Sequence, residues 1–305
     1  MSGGLDSQLA VRVLENAGAW VEGVVFDTPF FDITEAKKAA AALEIRLHVI
    51  DFLEDEISLI ETHAHGFGGA MNPCIDCHAK MIERAGELMT RLGYDFVATG
   101  EVQGQRPMSQ NRQSMGIVEK CSTMKGRLVR PLSAKLLEPT IPELEGKLDR
   151  GKFYDISGRG RERQIALAAE FGIVDYPAPA GGCKLTEGGF CRKLKDLQDH
   201  EGLRDADGKV NRRLIELLKI GRRFRLPGGS SVILGRDGRE NAVLMKEQGV
   251  QGVAIRPSSG LVGPVAFIPA LKCPEDAAFT QALVNAYSKG TSEADRVDFK
   301  PYQIM

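Results

Sequence analysis

Apolar positions along the first half of the chain fall into two alternating rhythms, and the alternation predicts strands separated by helices. Ser7-Gln8-Leu9-Ala10-Val11-Arg12-Val13-Leu14 carries its apolar residues at helical spacing. Val21–Asp27 is a short apolar run expected as a buried strand. A helix over about Thr34–Leu43 and a second strand at Arg46–Phe52 follow. A long helix is expected around Cys77–Leu92 and a further strand at Asp95–Glu101. Leu128–Leu132 reads as a short strand stopped by Pro131, with helices around Ile141–Arg150 and Arg161–Phe171. Strands alternating with amphipathic helices predict an α/β domain whose parallel sheet is covered on both faces. Ligands of such sheets bind beyond the carboxyl ends of the strands, which puts the start of the chain, Phe26-Asp27 and Thr99-Gly100 on one rim.

Beyond about residue 200 the rhythm changes. Short strands are expected at Arg223–Leu226, Ser231–Leu234, Val253–Arg256 and Val262–Ile268, with a helix among them after Gly235–Asn241. A last helix spans about Pro274–Ser288, and the tail carries no pattern. The expected division is a domain over 1–200 and a smaller α+β domain over 201–305. Internal repeats and low-complexity tracts are absent from the sequence.

A chain of 305 residues suits one large or two modest domains with a proper core. No apolar run approaches membrane-spanning length and no signal-peptide pattern appears, so a cytoplasmic protein with no membrane partner is expected. The formal net charge of −1 gives no global pull towards nucleic acid. One segment stands out, however: Arg204, Lys209, Arg212, Arg213, Lys219, Arg222, Arg223 and Arg225 crowd together with few acids. That is either a solvated helix face or a phosphate-backbone footprint. Cysteines fall at 74, 77, 121, 183, 191 and 273. In a large chain without a secretion signal, close pairs suggest metal or redox chemistry over disulfide staples.

The first chemical signature is Met1-Ser2-Gly3-Gly4-Leu5-Asp6-Ser7. Two glycines allow a tight turn and let backbone N–H groups approach an anion. The helix behind them offers its orphan N–H groups and dipole to a phosphate. The Lys-Ser/Thr pair of the Walker pattern is missing, and the bland alternative is a Gly turn before a capped helix. The stretch resembles the SGGxDS loop of PP-loop ATP pyrophosphatases. That resemblance implies a HUP-type (adenine nucleotide alpha hydrolase-like) sheet, with ATP held by its phosphates and released as pyrophosphate and AMP. It assigns Ser2, Gly3, Gly4 and Ser7 to the phosphates and Asp6 to positioning Mg²⁺ or ATP. Phe26 and Asp27 are expected near the nucleoside, although Asp27 reads equally as a turn residue. In that family a buried strand precedes the loop, whereas only Met1 precedes it here. A first strand is therefore expected to be missing, to be supplied from upstream or from elsewhere.

Asn72-Pro73-Cys74-Ile75-Asp76-Cys77-His78 puts two thiols at a helix start, where the dipole is expected to lower their pKa. Two idle cysteines are the alternative, and His78 reads as a capping or packing residue before a ligand. NPCxxC after a PP-loop resembles the tRNA 2-thiouridylases (MnmA), and the paired cysteines are similar to those of iron–sulfur relatives of ThiI and TtcA. Ala98–Gln110 carries a Thr-Gly-Glu…Gly-Gln…Ser-Gln skeleton similar to a motif beside the ATP site of the 4-thiouridine synthase ThiI. Gly100, Gln105, Ser109 and Gln110 thereby become candidates for orienting a phosphate or a uracil edge, and Arg106 for pairing with phosphate. A polar surface loop is the alternative. Tyr176–Leu185 is a Pro/Gly loop presenting Cys183, and a third, distant cysteine is what the resembled sulfur-transfer enzymes carry. Cys74, Cys77 and Cys183 could hold a [4Fe–4S] cluster with one iron open for sulfide. The same thiols could run persulfide chemistry, or bind zinc together with His78. Cys191 reads as a helix-entrance residue, and Cys121 and Cys273 as packing residues.

The order of these motifs resembles that of tRNA thiolation enzymes. It implies ATP-dependent adenylation of a uracil oxygen in tRNA, followed by sulfur insertion, with Asp6, Cys74 and Cys183 as catalytic residues. ATP, Mg²⁺ and a [4Fe–4S] cluster are the expected cofactors. The expected partners are tRNA, a sulfur donor (sulfide or a cysteine desulfurase) and a second copy of the chain. The Gly-Arg…Glu-Asn element at Gly235–Asn241 resembles the NFACT-R family, proposed RNA-binding modules. Two rival readings are a PP-loop enzyme acting on a small molecule and a non-catalytic RNA-binding protein with a degenerate ATP site.

Overall fold

The structure, a computed structural model, describes residues 1–179, 182–248, 252–293 and 297–305. Two compact units divide the chain, Met1–Thr186 and Glu187–Met305.

In the first unit, helix α1 (Leu5–Asn16) begins almost at the N-terminus, followed by β1 (Gly23–Asp27), α2 (Thr34–Ala42), β2 (Leu47–Asp51) and α3 (Leu53–Thr62). Then come α4 (Cys74–Leu92), β3 (Val97–Ala98), α5 (Arg112–Cys121), β4 (Leu128–Val129), α6 (Ile141–Leu144) and α7 (Glu162–Glu170). The strands form two parallel pairs, β1 with β2 and β3 with β4. Parallel pairs joined by helices are the α/β arrangement that the hydrophobic rhythm predicts. Gly23 and Asp27 direct their backbone groups to β2, so alternation turns those of Val24 to the opposite edge. There the amino nitrogen of Met1 donates to the Val24 carbonyl. The start of the chain thus runs along the free edge of β1.

Leu5, Leu9, Val13 and Leu14 form the buried stripe of α1. They pack on Val102, Val129, Leu132, Phe153 and Ile156, and each such side chain contributes roughly 1.5–3 kcal/mol of burial. The predicted strand at Asp95–Glu101 contracts to two residues, and packing explains why. Gly100 lies so close to α1 that an added Cβ would stand 2.5 Å from the Asp6 carbonyl oxygen. The chain leaves the sheet there to meet the helix. The helix expected over Ile141–Arg150 is likewise cut to one turn. Thr140 and Glu143 close a capping box at its start, and Gly146, at φ +71°, turns the chain out of it.

The second unit begins with α8 (Gly188–His200) and α9 (Arg212–Leu217), followed by β5 (Arg222–Arg225), β6 (Ser231–Leu234) and α10 (Gly238–Glu247). It ends with β7 (Val253–Ile255), β8 (Ala266–Ile268), α11 (Pro274–Ala286) and β9 (Gln303–Ile304). The five strands make an antiparallel sheet in the order β7-β8-β6-β5-β9. Period-2 alternation divides its side chains. Phe224, Val232, Leu234, Ala266 and Ile268 pack with Leu283 and Val284 of α11. Ile233 and Phe267 point the other way, to Leu217 and Leu244.

The crowded basic segment lies in this unit and is largely consumed internally. Arg223 is 1% exposed. It bonds Asp196 at 3.3 Å, Glu201 at 3.2 Å and the Ser231 hydroxyl. Arg225 pairs with the same two acids at 2.5 and 2.6 Å. Arg213 pairs with Glu247 and Arg212 with Glu216, and Arg222 lies over the Tyr287 ring. Asp196 in α8, Glu201 just after it and Glu247 in α10 lie outside the basic stretch, which is why the local sequence window looks unbalanced.

Candidate functional site

Two helix N-termini carry the chemistry of the first unit, and the loop between β3 and α5 joins them. At the first, Gly3 sits at φ +81°, and a Cβ there would strike the backbone of Glu35. Only glycine fits this turn. No side chain caps α1, which leaves its first N–H groups without the side-chain partner that would compete with an anion. Ser7 Oγ donates to the Gly4 carbonyl at 2.8 Å, and Ser2 Oγ lies 3.4 Å from both the Gly4 nitrogen and Ser7 Oγ. Gln8, buried against the helix, donates to the carbonyls of Gly3 and Asp175 and so fixes the turn.

Asp6 is the acid of this turn. Burial raises its pKa, opposed by a hydrogen bond from Gln105 and by the charges of Arg161 and Arg106. Gln105 Nε2 donates to Asp6 Oδ2 at 3.0 Å, while Asp6 Oδ1 is buried without a partner. One free carboxylate oxygen beside a phosphate-type turn fits Mg²⁺, which takes one or two carboxylates and completes its shell with phosphates and water. The side-chain amide oxygens of Gln103 and Gln110 are also buried without partners, and Gln164 lies close enough to Asp6 to favour its ionised form. Gln164, on α7 beside Asp6, was not legible as a site residue. Its only signal is polarity on a helix face shared with Leu167 and Ala168. Ser109 and Gln110 are buried, and the Gly104 nitrogen donates to the Gln110 carbonyl at 2.7 Å. The 104–110 stretch is therefore a closed loop, with Ser109 and Gln110 buried at its base and Arg106, Pro107 and Met108 exposed at its tip. Phe26 packs its ring on Phe52 at 5.1 Å between centroids.

The second N-terminus is that of α4. Pro73 precedes its first residue, Cys74, and the Cys77 nitrogen donates to the Pro73 carbonyl. Asn72 Nδ2 donates to Cys74 Sγ at 3.0 Å. Two backbone bonds bring in the third thiol: the Lys184 nitrogen donates to Phe30, and the Met71 nitrogen to Leu185. Cys183 is thereby held beside Cys74 and Cys77, close enough for the three to act on one another electrostatically. The expectation of lowered thiol pKa values is overturned. Burial raises all three, Cys183 to about 11 and Cys77 well above its ordinary value. Cys74 is favoured among them, because the Asn72 bond and the Arg106 charge oppose its burial. Desolvation outweighs the helix dipole here.

Among the described residues no group of three or more His, Cys, Asp or Glu side chains is arranged to hold a metal ion. The donor set for a [4Fe–4S] cluster or a zinc site on Cys74, Cys77 and Cys183 is thus not assembled, and His78 is turned elsewhere. Its Nδ1 lies 3.4 Å from Glu101. Glu101 is buried and also takes bonds from Arg130 and Thr99. Burial pushes its carboxyl up, but His78 and Arg130 outweigh that and hold it near 2. Asp76, inside the Cys-x-x-Cys turn, accepts from both the His65 backbone and its ring, the latter at 2.5 Å. Cys191 is buried in α8, Cys121 is exposed, and Cys273 is half-buried at the start of α11.

Residues 1–124 match the family described as "tRNA methyl transferase HUP domain". Curated relatives are tRNA-specific 2-thiouridylases MnmA. That of Marinobacter nauticus is 31% identical over 36% of this chain and 32% of its own length. That of Sulfurimonas denitrificans is 36% identical over 33% of this chain and 32% of its own length. A longer match, to the enzyme of Roseiflexus sp., is 28% identical over 80% of this chain and 75% of its own length. In the two shorter matches the chain spans about a third of the relative. Among solved structures, the C-terminal part of a fibronectin/fibrinogen-binding protein from Streptococcus suis matches 79% of this chain and 80% of its own. It does so at 15% identity and a TM-score of 0.22, too low to assign a fold. The HUP-type fold and the similarity to PP-loop tRNA thiouridine synthases, both read from the motifs, are borne out for the N-terminal region. No helix among the described residues is long and apolar enough to cross a membrane.

Proposed function

We propose that the first unit is an ATP-dependent tRNA uridine thiolation centre that delivers sulfur as a persulfide. The observation that carries this reading is the segment that joins the two helix N-termini: Gln105 donates to Asp6 of α1 at 3.0 Å, and Glu101 of the same segment meets His78 of α4 at 3.4 Å. The exposed Arg106 between them adds positive charge that favours the ionised forms of both Asp6 and Cys74. A nucleotide-type turn and a thiol group tied to one loop suit an enzyme that activates a carbonyl and then attacks it with sulfur.

In this reading Ser2, Gly3, Gly4 and Ser7 hold the ATP phosphates, and Asp6 would hold Mg²⁺, which supplies charge neutralisation when bound. A uracil carbonyl oxygen attacks the α-phosphorus and pyrophosphate leaves. Arg106 stabilises the charge that develops on the phosphate. The terminal sulfur of a persulfide on Cys183 attacks the activated carbon, and AMP departs with the former carbonyl oxygen. Cys74 is the easiest thiol of the three to ionise, because of Asn72 and Arg106. Its thiolate attacks Cys183 Sγ and breaks the persulfide S–S bond. The sulfur stays on the base, a Cys74–Cys183 disulfide forms, and an external thiol reduces it. The sulfur enters from a persulfide donor such as a loaded cysteine desulfurase. Recognition of tRNA by the second unit and assembly of two chains around one tRNA belong to the same proposal.

Incubating the full chain with ATP, Mg²⁺, unmodified tRNA and a persulfide donor tests it. Pyrophosphate release that depends on tRNA, together with thiolated uridine in nuclease digests, is expected. Pyrophosphate release with a small molecule and none with tRNA would contradict it.

A further inference from the structure

The loop that ties Gln105 to Asp6 has a neighbour of the same character. Gln103 forms a β-bridge with Ser157, and the Gly158 nitrogen donates to the Gln103 carbonyl at 2.8 Å. Gly104 and Gly158 follow at φ +82° and +84°, and a Cβ on Gly104 would stand 3.4 Å from the Gly158 nitrogen. These facing glycine turns send residues 104–112 and 158–163 out side by side. Both stretches adjoin the nucleotide turn, since Gln105 donates to Asp6 at 3.0 Å and the Arg161 charge favours the ionised Asp6. The first stretch is pinned in shape. The Gln110 nitrogen donates to the Arg106 carbonyl at 2.9 Å, and Asn111 Nδ2 donates to the Pro107 carbonyl at 2.7 Å. Asn111 Oδ1 then caps α5 by accepting from the Ser114 nitrogen at 2.9 Å.

Residues 102–118 contain Arg106 and Arg112 and neither Asp nor Glu. Residues 156–163 contain Arg159, Arg161 and Arg163 against one acid, Glu162, whose Oε2 folds back against Gly160. Arg84, Arg130, Arg150 and Arg163 of the same unit are all paired with carboxylates. Arg106, Arg112 and Arg159 are exposed and Arg161 is half-buried, and none of these four has an ion pair among the described residues. In a chain of net charge −1, four unanswered guanidiniums on two adjoining loops make a local positive field. A guanidinium grips phosphate with two parallel hydrogen bonds. The glycine turn serves the phosphates of a nucleotide, but a polymer whose base enters the site carries phosphates both before and after that base. A cationic groove that tracks the backbone meets that need. We propose that the two loops form the grip on the RNA backbone beside the nucleotide turn, with Arg112 and Arg159 holding phosphates that flank the reacting uridine. This role rests on the tRNA thiolation reading above, and the grip lies wholly in the first unit.

The test uses the full chain and unmodified tRNA with neither ATP nor a sulfur donor, so it decides the grip separately from thiolation. Binding is followed by fluorescence anisotropy over a series of salt concentrations. Arg112 and Arg159 are exposed, so replacing both leaves the core intact. Arg112→Gln with Arg159→Gln should weaken binding about tenfold or more. The slope of log K against log salt should become shallower by about 1.4, the share of two single-strand phosphate contacts. Arg112→Lys with Arg159→Lys keeps both charges and should keep the wild-type slope. In tRNA-dependent pyrophosphate release the double Gln variant should show a raised KM for tRNA, with kcat and the KM for ATP unchanged. Arginine-dependent tRNA binding by a chain that thiolates nothing would uphold the grip and reject the thiolation reading. Wild-type affinity and slope in the double Gln variant would overturn the proposal. So would a raised KM for ATP with tRNA binding intact, which would assign the two guanidiniums to the nucleotide triphosphate.

Discussion

Helices α1 and α4 present the same device, an N-terminus facing the candidate site, and their surroundings give it opposite characters. At α1 the acid Asp6 is met by Gln105, Arg106 and Arg161. That end of the site is poised to receive more negative charge. At α4 the thiols are buried and are met by Glu56 and Asp76 and by one another, which disfavours negative charge there. A helix dipole is worth only about 0.3–1 kcal/mol at an ordinary terminus. Burial and a neighbouring carboxylate decide the outcome over it. An N-terminus is thus an anion site only when the side chains around it agree.

The largest effect expected from this contrast is its complete separation into two half-reactions. Cys183→Ser should abolish thiolation, by more than about a thousandfold, while tRNA-dependent pyrophosphate release continues. Cys121→Ser, at an exposed position, should do neither. Thiolation at full rate in Cys183→Ser would remove the persulfide carrier from the account. Asp6→Asn should do the reverse. Pyrophosphate release should fall about 10²–10³-fold, the scale of a lost electrostatic stabiliser, with alkylation of Cys74 and Cys183 unaffected.

Stability against pH sharpens the comparison further. The Glu56 carboxyl titrates near 8 in the folded chain against an ordinary value of 4.5. The folded state therefore holds its proton where the unfolded state has lost it. Its contribution is complete below pH 4.5 and is lost as pH rises towards 8, by roughly 5 kcal/mol. Urea midpoints of the wild type should decline across that window, and those of Glu56→Gln should decline less. Glu101, held near 2, works in the opposite direction and loses its contribution only as pH falls below about 4.5. The smallest effect is expected at the contact between loop and helix. Gly100→Ala places a methyl 2.5 Å from the Asp6 carbonyl oxygen and should cost about 1–3 kcal/mol. A urea midpoint equal to wild type would mean that this close approach is not maintained.

The sequence showed the architecture of the first unit well, because α/β rhythm survives in any chain that buries a parallel sheet. It showed less of where elements end. Gly100 looks like a strand residue but leaves the sheet to reach α1, one residue after Thr99 makes its last bond to Val129. Helices α3 and α5 carry no expectation from the sequence, and α9 lies in the basic segment for which a solvated helix face is one of the two readings. Strand β9 is two residues long, and its pairing with Arg223 and Phe224 leaves no mark on local periodicity. The site was legible where chemistry comes as a motif: the glycine turn, the Cys-x-x-Cys pair and the Gln105 loop. It was not legible where chemistry comes from burial. Glu56 stands three residues after Leu53 and four before Ile60, on the apolar stripe of α3. An acid on such a stripe is a usable signal, and Gln8 and Gln164 show the same one. The basic segment at 204–225 misled for the converse reason, since Asp196, Glu201 and Glu247 lie outside the window that looked unbalanced.

The most direct test of a single two-part site is Arg106→Gln in the full chain. Single-turnover pyrophosphate release and single-turnover sulfur transfer to pre-adenylated tRNA are measured separately. If Arg106 serves both ends, each should slow by about tenfold or more, a change of roughly 1.4 kcal/mol in each barrier. Cys74 should also become harder to alkylate at neutral pH. Loss confined to one half-reaction, with the other at wild-type rate, would contradict the account and leave the glycine turn and the thiols as separate sites.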